Sequence, residues 1–215
     1  MDSVTRDKEI IGNTVAHCGA AGIRLHDSFD ILITGNTLFN NTRGIQSVKG
    51  INNVLYGRDI IVNNNIAVAK TSKQLAFHIY NYVSESPLLF GSSDYNIYTR
   101  PILDTLTIET QTSAAGGGTN TKYTLETWQT TGNDTHSTKS PTTITNVNQI
   151  LFEYNSGLTN RTIQLNGTYK DLYGNYIDTV IIEPFKSIIL INIYDKPILI
   201  KNGKAIIKNG KLISK

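Results

Sequence analysis

The tripeptide Gly-Asn-Thr occurs at residues 12–14 and again at 35–37, and each copy is followed within eight residues by Gly-Ile, at Gly22-Ile23 and Gly44-Ile45. The two Asn are 23 residues apart and the two Ile are 22 apart. A period of this length points to a solenoid before any closed globular fold. Between the glycines the apolar residues alternate, as Ile23 and Leu25, then Ile31 and Ile33, then Leu38. Alternation of this kind marks strands with one buried face. Three strands of about 4–5 residues and three short turns consume about 20–25 residues, so one period equals one three-strand turn of a coil. A third, looser turn follows in "DIIVNNNIAVAKTSKQLAFHIY", with Asn65-Ile66 in place of Asn-Thr and 29 residues beyond Asn36. The extra length, "VKGINNVLYGRD", reads as a loop because of Gly50, Asn52, Asn53 and Gly57.

The recurrence has a physical reading. Asn13, Asn36 and Asn65, each in a tight turn, can bond their amides to the same group one coil away and form a ladder along the axis. Gly supplies positive φ at a corner, and Ile fills the interior stack. Charged residues are only 17% of the chain, and the polar surface is rich in Asn and Thr, which favour turns and strands over helix. On these residues the chain resembles the right-handed parallel β-helix proteins of the pectin-lyase-like superfamily. "GIRLHDSFDILITGNTLFNN" and "GIQSV" are similar to that family's repeat unit. The expected fold is therefore all-β, a right-handed parallel β-helix followed by a small antiparallel β-sandwich-like domain. The resemblance is specific for fold and poor for activity, since many activities share the scaffold.

Other features bound the function. The net charge is +3, and five Lys with no acid fall in the last fifteen residues. Lys alternating with strand-like apolar residues reads as a solvated edge, with no nucleic-acid footprint. The single Cys18 rules out an internal disulfide and a Cys-rich zinc site. No apolar run reaches transmembrane length, so membrane insertion is not expected. The start lacks the apolar stretch of a secretory signal. Because the repeat already runs at residue 10, the chain is expected to be the C-terminal part of something longer and extracellular, whether secreted, on a cell surface or on a virion.

The coils are expected over 1–91, and a terminal coil with a cap and a flexible Gly-rich loop over 92–148. "DYNIY" and the later "LETWQ" and "GNDTHS" resemble the closing region of secreted β-helix proteins. Leu125 and Trp128 at i, i+3 read as one amphipathic helical turn covering the end. Asp134, His136 and Ser137 suggest a triad, but neighbours on an extended segment point to opposite sides, and turn hydrogen bonds are the better reading. Residues 149–192 show short strands at Ile150–Tyr154, Arg161–Leu165, Tyr169–Asp171, Thr179–Ile182 and Ser187–Ile191, at the spacing of a sandwich. Residues 193–215 repeat Ile-Lys-Asn-Gly-Lys with a period of seven, a hairpin or meander tail that suits a virion or cell-surface protein.

In β-helix enzymes the substrate groove runs along one stacked sheet, and the resemblance places it on the Gly-Ile strands. With Ile23, Leu25, Ile45, Leu75, Phe77 and Ile79 inward, Arg24, His26, Gln46 and His78 point outward. His78 is expected in a column with His26, and Asp27 and Lys49 at the margin. This strip is the candidate groove. Its Arg and His suit an acidic polysaccharide: a lyase needs a base for the proton α to the uronate carboxyl and cations for the developing enolate. A hydrolase needs two facing carboxylates, and Asp27 and Asp30 make an unconvincing pair. No catalytic residue is assigned, and a stronger constellation is expected on coils upstream. No metal-ligand spacing is present and no cofactor is expected, although the resemblance is compatible with calcium at a site the residues do not locate. The sequons at Asn40, Asn133, Asn160 and Asn166 match the roughly four that chance yields from 22 Asn and 40 Ser or Thr. The functional expectation is a carbohydrate-active protein, a lyase or glycoside hydrolase. The alternatives are a non-catalytic glycan-binding or adhesion module and a tailspike-like phage tail protein. The oligomeric state is not legible.

Overall fold

Alternating apolar residues bounded by Gly and Asn make short strands that cannot bury a face alone, and here they do so by stacking. The computed structural model describes residues 5–50, 55–113, 117–193 and four two-residue strands of the tail. Its first circuit holds β1 (Arg6–Ile11), β2 (Thr14–Ala16) and β3 (Ala21–His26). The second holds β4 (Phe29–Thr34), β5 (Thr37–Phe39) and β6 (Arg43–Lys49), and the third β7 (Arg58–Asn63), β8 (Ile66–Val68) and β9 (Leu75–Asn81). A fourth, β10 (Gly91–Asp94), β11 (Ile97–Thr99) and β12 (Ile108–Thr112), carries the pattern past residue 91.

Each strand pairs in parallel with the strand three places on. This generates sheets β1-β4-β7-β10, β2-β5-β8-β11 and β3-β6-β9-β12, the last extended by antiparallel β13 (Asn120–Tyr123). The parallel sheets are therefore visited in rotation. Their inward residues meet in one core that takes Ile31, Ile33, Ile60 and Val62 from the first sheet, Leu38, Ala67 and Tyr98 from the second, and Ile45, Phe77 and Ile108 from the third. The helix α1 (Leu125–Gln129) adds Leu125 and the fully buried Trp128 to the same core. Trp128 meets Phe77 and Tyr123 edge-on at 6.0 and 5.3 Å, so the helical turn packs into the same core.

The Asn column is built of two bonds per step. Asn36 Oδ1 accepts from the backbone N (2.9 Å) and Nδ2 (3.0 Å) of Asn13. Asn36 in turn donates from N (3.0 Å) and Nδ2 (2.9 Å) to Asn65 Oδ1. Asn65 does the same to Asn96, at 2.9 and 3.1 Å. Asn96 donates from N to Ser137 Oγ (2.7 Å) and from Nδ2 to Asp134 Oδ1 (2.9 Å). Asp134 is fully buried and also accepts from Trp128 Nε1 (2.6 Å), Ser93 and Ser137, which satisfies a carboxylate far from water. The residue before each ladder Asn has positive φ: Gly12 and Gly35 at 66°, Asn64 at 54° and Tyr95 at 57°. Gly22 and Gly44 serve a different need. A Cβ on Gly44 would lie 2.4 Å from the Ala76 carbonyl oxygen, so close approach of neighbouring strands excludes any side chain there.

The next strands are β14 (Ile150–Tyr154), β15 (Arg161–Lys170), β16 (Tyr176–Ile182) and β17 (Ser187–Asn192). They form one antiparallel sheet, order β14-β17-β15-β16, so the separate strand expected at Tyr169–Asp171 is the far end of β15. The facing antiparallel layer of a sandwich is replaced by the second parallel sheet. Ile150, Ile189 and Ile191 pack with Phe39, Val68 and Ile97 from that sheet's outer face, and Phe39 stacks on Phe152 at 4.7 Å. Alternation in a sequence shows that a strand has a buried face, but not which layer buries it. The insertion is also shorter than expected, since Val48 and Lys49 belong to β6 and Arg58 and Asp59 to β7. Residues 51–54 of that loop and 114–116 of the Gly-rich loop lie outside the described residues. In the tail, β18 (Ile200–Lys201) pairs with β19 (Lys204–Ala205), and β20 (Ile207–Lys208) with β21 (Lys211–Leu212). Both Asn-Gly turns lie outside the described residues.

Replacing Asn36 by Ala strands the Asn13 and Asn65 groups inside the turn column. Asn36→Ala is expected to destabilise the protein by about 1–3 kcal/mol in urea unfolding, and Asn13→Ala, at the exposed end, by less. Equal and negligible losses would mean that the column carries no stability.

Candidate functional site

The outer face of the third parallel sheet brings the strip residues into definite order. Register places Arg24 beside Gln46, Gln46 beside His78, His78 beside Glu109, and Glu109 beside Lys122. His26 stands in the neighbouring column, in line with Val48 and Tyr80, and does not share a column with His78. Arg24 is exposed and His26 half-buried, whereas Gln46 is 8% exposed and His78 is not exposed at all. Asp27 and Lys49 are buried and do not form an exposed margin. Asp27 Oδ1 accepts from the Gly50 N–H at 2.7 Å, and Lys49 is ion-paired with Glu85.

His78 is the centre of a buried network. Its Nδ1 accepts from Arg43 Nε at 2.9 Å and lies 3.0 Å from Gln46 Nε2. Both groups donate, so Nδ1 carries the lone pair and the ring proton belongs on Nε2. Nε2 has no hydrogen-bond partner and faces Glu109 Oε1 at 3.5 Å. Burial first, and then the charge of Arg43, hold the His78 pKa down to about 4, with Gln111 acting in the opposite sense. The ring is thus neutral across the physiological range. It fixes the Arg43 side chain and is too deep to touch a substrate.

Arg43 and Gln46 reach the same imidazole although they are three positions apart, an odd spacing that strict alternation places on opposite faces. The slip falls at Gly44, whose missing side chain points into the crowded interior. Arg43 was therefore hidden from a period-2 reading of the sequence. It opens onto a recess of about 320 Å³ lined also by Lys73, Arg100, Lys122, Glu109 and Leu75. Four cations there face one carboxylate. Arg100 is committed to the scaffold, donating to the Leu103 carbonyl at 2.7 Å and the Gln74 carbonyl at 2.9 Å. Burial pushes its guanidinium down from the ordinary value and Asp104 opposes this. Lys73 is exposed and makes no ion pair among the described residues, and Lys122 Nζ lies 3.5 Å from Glu109 Oε2. The sequence held a signal for Glu109, since the fourth circuit sets Ile108 beside Phe77 and so Glu109 beside His78. Lys73, Arg100 and Lys122 come from loops and from the antiparallel strand, which no repeat announces.

The first parallel sheet carries a larger open trough of about 970 Å³, lined by Asp7, Asp30 and Asp59 on successive circuits together with Lys8, Glu9 and Ser92. Among the described residues no group of three or more His, Cys, Asp or Glu is placed to hold a metal ion. The Asp134, His136 and Ser137 group is divided. Asp134 and Ser137 close the Asn column, while exposed His136 pairs with Asp94 at 2.7 Å and stacks on Tyr95 at 4.8 Å. No helix among the described residues is long and apolar enough to cross a membrane. No protein-family model, curated protein or solved structure matches the chain.

The depressed His78 pKa has a definite sign. Between pH 6.5 and about 4 the unfolded chain binds a proton that the folded one refuses, so stability from this group is complete above 6.5 and falls on acidification. The loss amounts to about 3 kcal/mol at full protonation. His78→Gln, which cannot titrate, should show a shallower decline in urea midpoint from pH 6.5 to 4 than the parent. Parallel declines would show that His78 is not held neutral.

Proposed function

We propose that this chain forms a right-handed parallel β-helix of the pectin-lyase-like kind that binds an acidic polysaccharide outside the cell. Three parallel sheets visited in rotation around one core support the β-helix, and a right-handed winding follows the rule for parallel crossovers. One observation carries the functional reading: the recess where Arg43, Lys73, Arg100 and Lys122 face a single carboxylate. A guanidinium held by a buried imidazole is a preorganised fork for a carboxylate or sulfate, and two lysines on loops supply adaptable charge around it.

Binding is better supported than turnover. Hydrolysis between two carboxylates needs a pair, and Glu109 is the one acid lining the recess. A lyase base must reach the proton α to a uronate carboxyl, and His78 has no exposed surface from which to do so. A tail-protein setting uses the same surface, and the two antiparallel strand pairs of the Lys-rich tail support it.

The test is binding to a panel of neutral, uronate and sulfated polymers. Acidic polymers should bind, with affinity falling as salt screens exposed charge. Lys73→Glu and Lys122→Glu should each weaken binding about three- to tenfold, with Arg161→Glu on the antiparallel sheet as the control. Binding should be indifferent to His78 titration between pH 5.5 and 7.5, because that group titrates near 4. Equal affinity for neutral polymers, or no effect of either lysine reversal, would sink the reading.

A further inference from the structure

Along β9 and one residue past its end, Tyr80 and Tyr82 follow His78 at a period of two. Tyr80 stacks on His78 at 5.9 Å, and Tyr82 lies against Tyr80 at 4.2 Å between ring centres. The two tyrosines differ in their commitments. Tyr80 is half-buried, and its hydroxyl donates to Ser113 Oγ at 3.0 Å, which fixes the ring. Tyr82 is 48% exposed, and its hydroxyl has no partner among the described residues. The Tyr82 backbone is held, since its N–H donates to the Lys49 carbonyl at 2.8 Å. A rigid aromatic ridge thus begins next to the network that supports Arg43 and ends in an exposed ring.

We propose that Tyr80 and Tyr82 form a second subsite of the glycan site, on which sugar rings of an acidic oligosaccharide stack while its carboxylate occupies the recess at Arg43 and Lys122. The proposal rests on the acidic-glycan reading of the recess. It sets the direction of the bound chain. From His78 through Tyr80 to Tyr82 the ring centres span at most about 10 Å, room for about two sugar rings. The glycan therefore lies along β9 and crosses few circuits. Aromatic faces take the apolar face of a pyranose, and the free hydroxyl of Tyr82 adds a polar contact at the ring edge. A charged end and a stacked end on one line select a polymer whose acidic residue is followed by unbranched sugars.

Length separates the two subsites. Calorimetric titration of the full chain with a dimer and a hexamer of a 1,4-linked uronate should show the hexamer binding more tightly. Tyr82→Ala should weaken the hexamer about fivefold or more and leave the dimer unchanged, while Tyr82→Phe should keep most of the hexamer affinity. Lys122→Glu should weaken both oligomers. If the hexamer binds, Lys122→Glu weakens it and Tyr82→Ala does not, the ridge is not a subsite and the recess reading survives. If the parent binds neither oligomer, the recess reading itself falls and takes the ridge with it.

Discussion

The buried Asn column is the interaction on which the rest depends. A turn that must pass inside a stack of strands leaves backbone N–H groups with no water to bond, and their pairing is obligatory. Each ladder Asn answers this by accepting the backbone and side-chain N–H groups of the Asn before it. That fixes the rise between circuits at one strand spacing and locks the register of the adjoining sheets. With the register set, Ile23, Ile45, Phe77 and Ile108 fall in one interior column. The same register sets Gln46, His78 and Glu109 in one exterior column, so core and candidate site have a common geometric cause.

Much of the fold was legible because its rules are periodic. Gly-Asn-Thr at two turns and Asn65-Ile66 at a third announced the winding, since positive φ favours Gly and tolerates Asn. The signal failed at the fourth turn, where Tyr95 takes the left-handed conformation before Asn96. A tyrosine there is costly in isolation, and here it is supported by stacking on His136. The antiparallel strands were legible as strands, but their packing partner was not. The face that Ile189 and Ile191 bury meets Phe39 and Val68 from far earlier in the chain.

The candidate site was only partly legible, for a related reason. Outward positions on a strand follow from alternation, and Arg24, Gln46 and His78 do point outward. Burial on an outer face depends on what neighbouring side chains cover, and Arg43 reaches over His78 only because the alternation slips at Gly44. A histidine that a linear reading offers as a surface ligand is in this way a buried support for the arginine beside it. The basic recess joins loops around residues 73 and 100 to β13, and sequence spacing does not bring these together.

The direction of the Asn column has a consequence for how such a chain changes over time. From one ladder Asn to the next the donation runs toward the later circuit, each amide also donating to backbone carbonyls of its own turn or of the circuit before, and the series ends on Asp134, a carboxylate that accepts without donating. A terminator of this type is indifferent to how many steps precede it. The observed steps of 23, 29 and 31 residues already differ. Duplication or loss of a whole circuit between Asn13 and Asn96 leaves every interior donor with an acceptor, so length can drift by whole rungs. Gain of a few residues inside a turn cannot be absorbed in the same way. Architecture of this kind evolves in quanta, with the exposed face free to acquire new ligands while the spine keeps count.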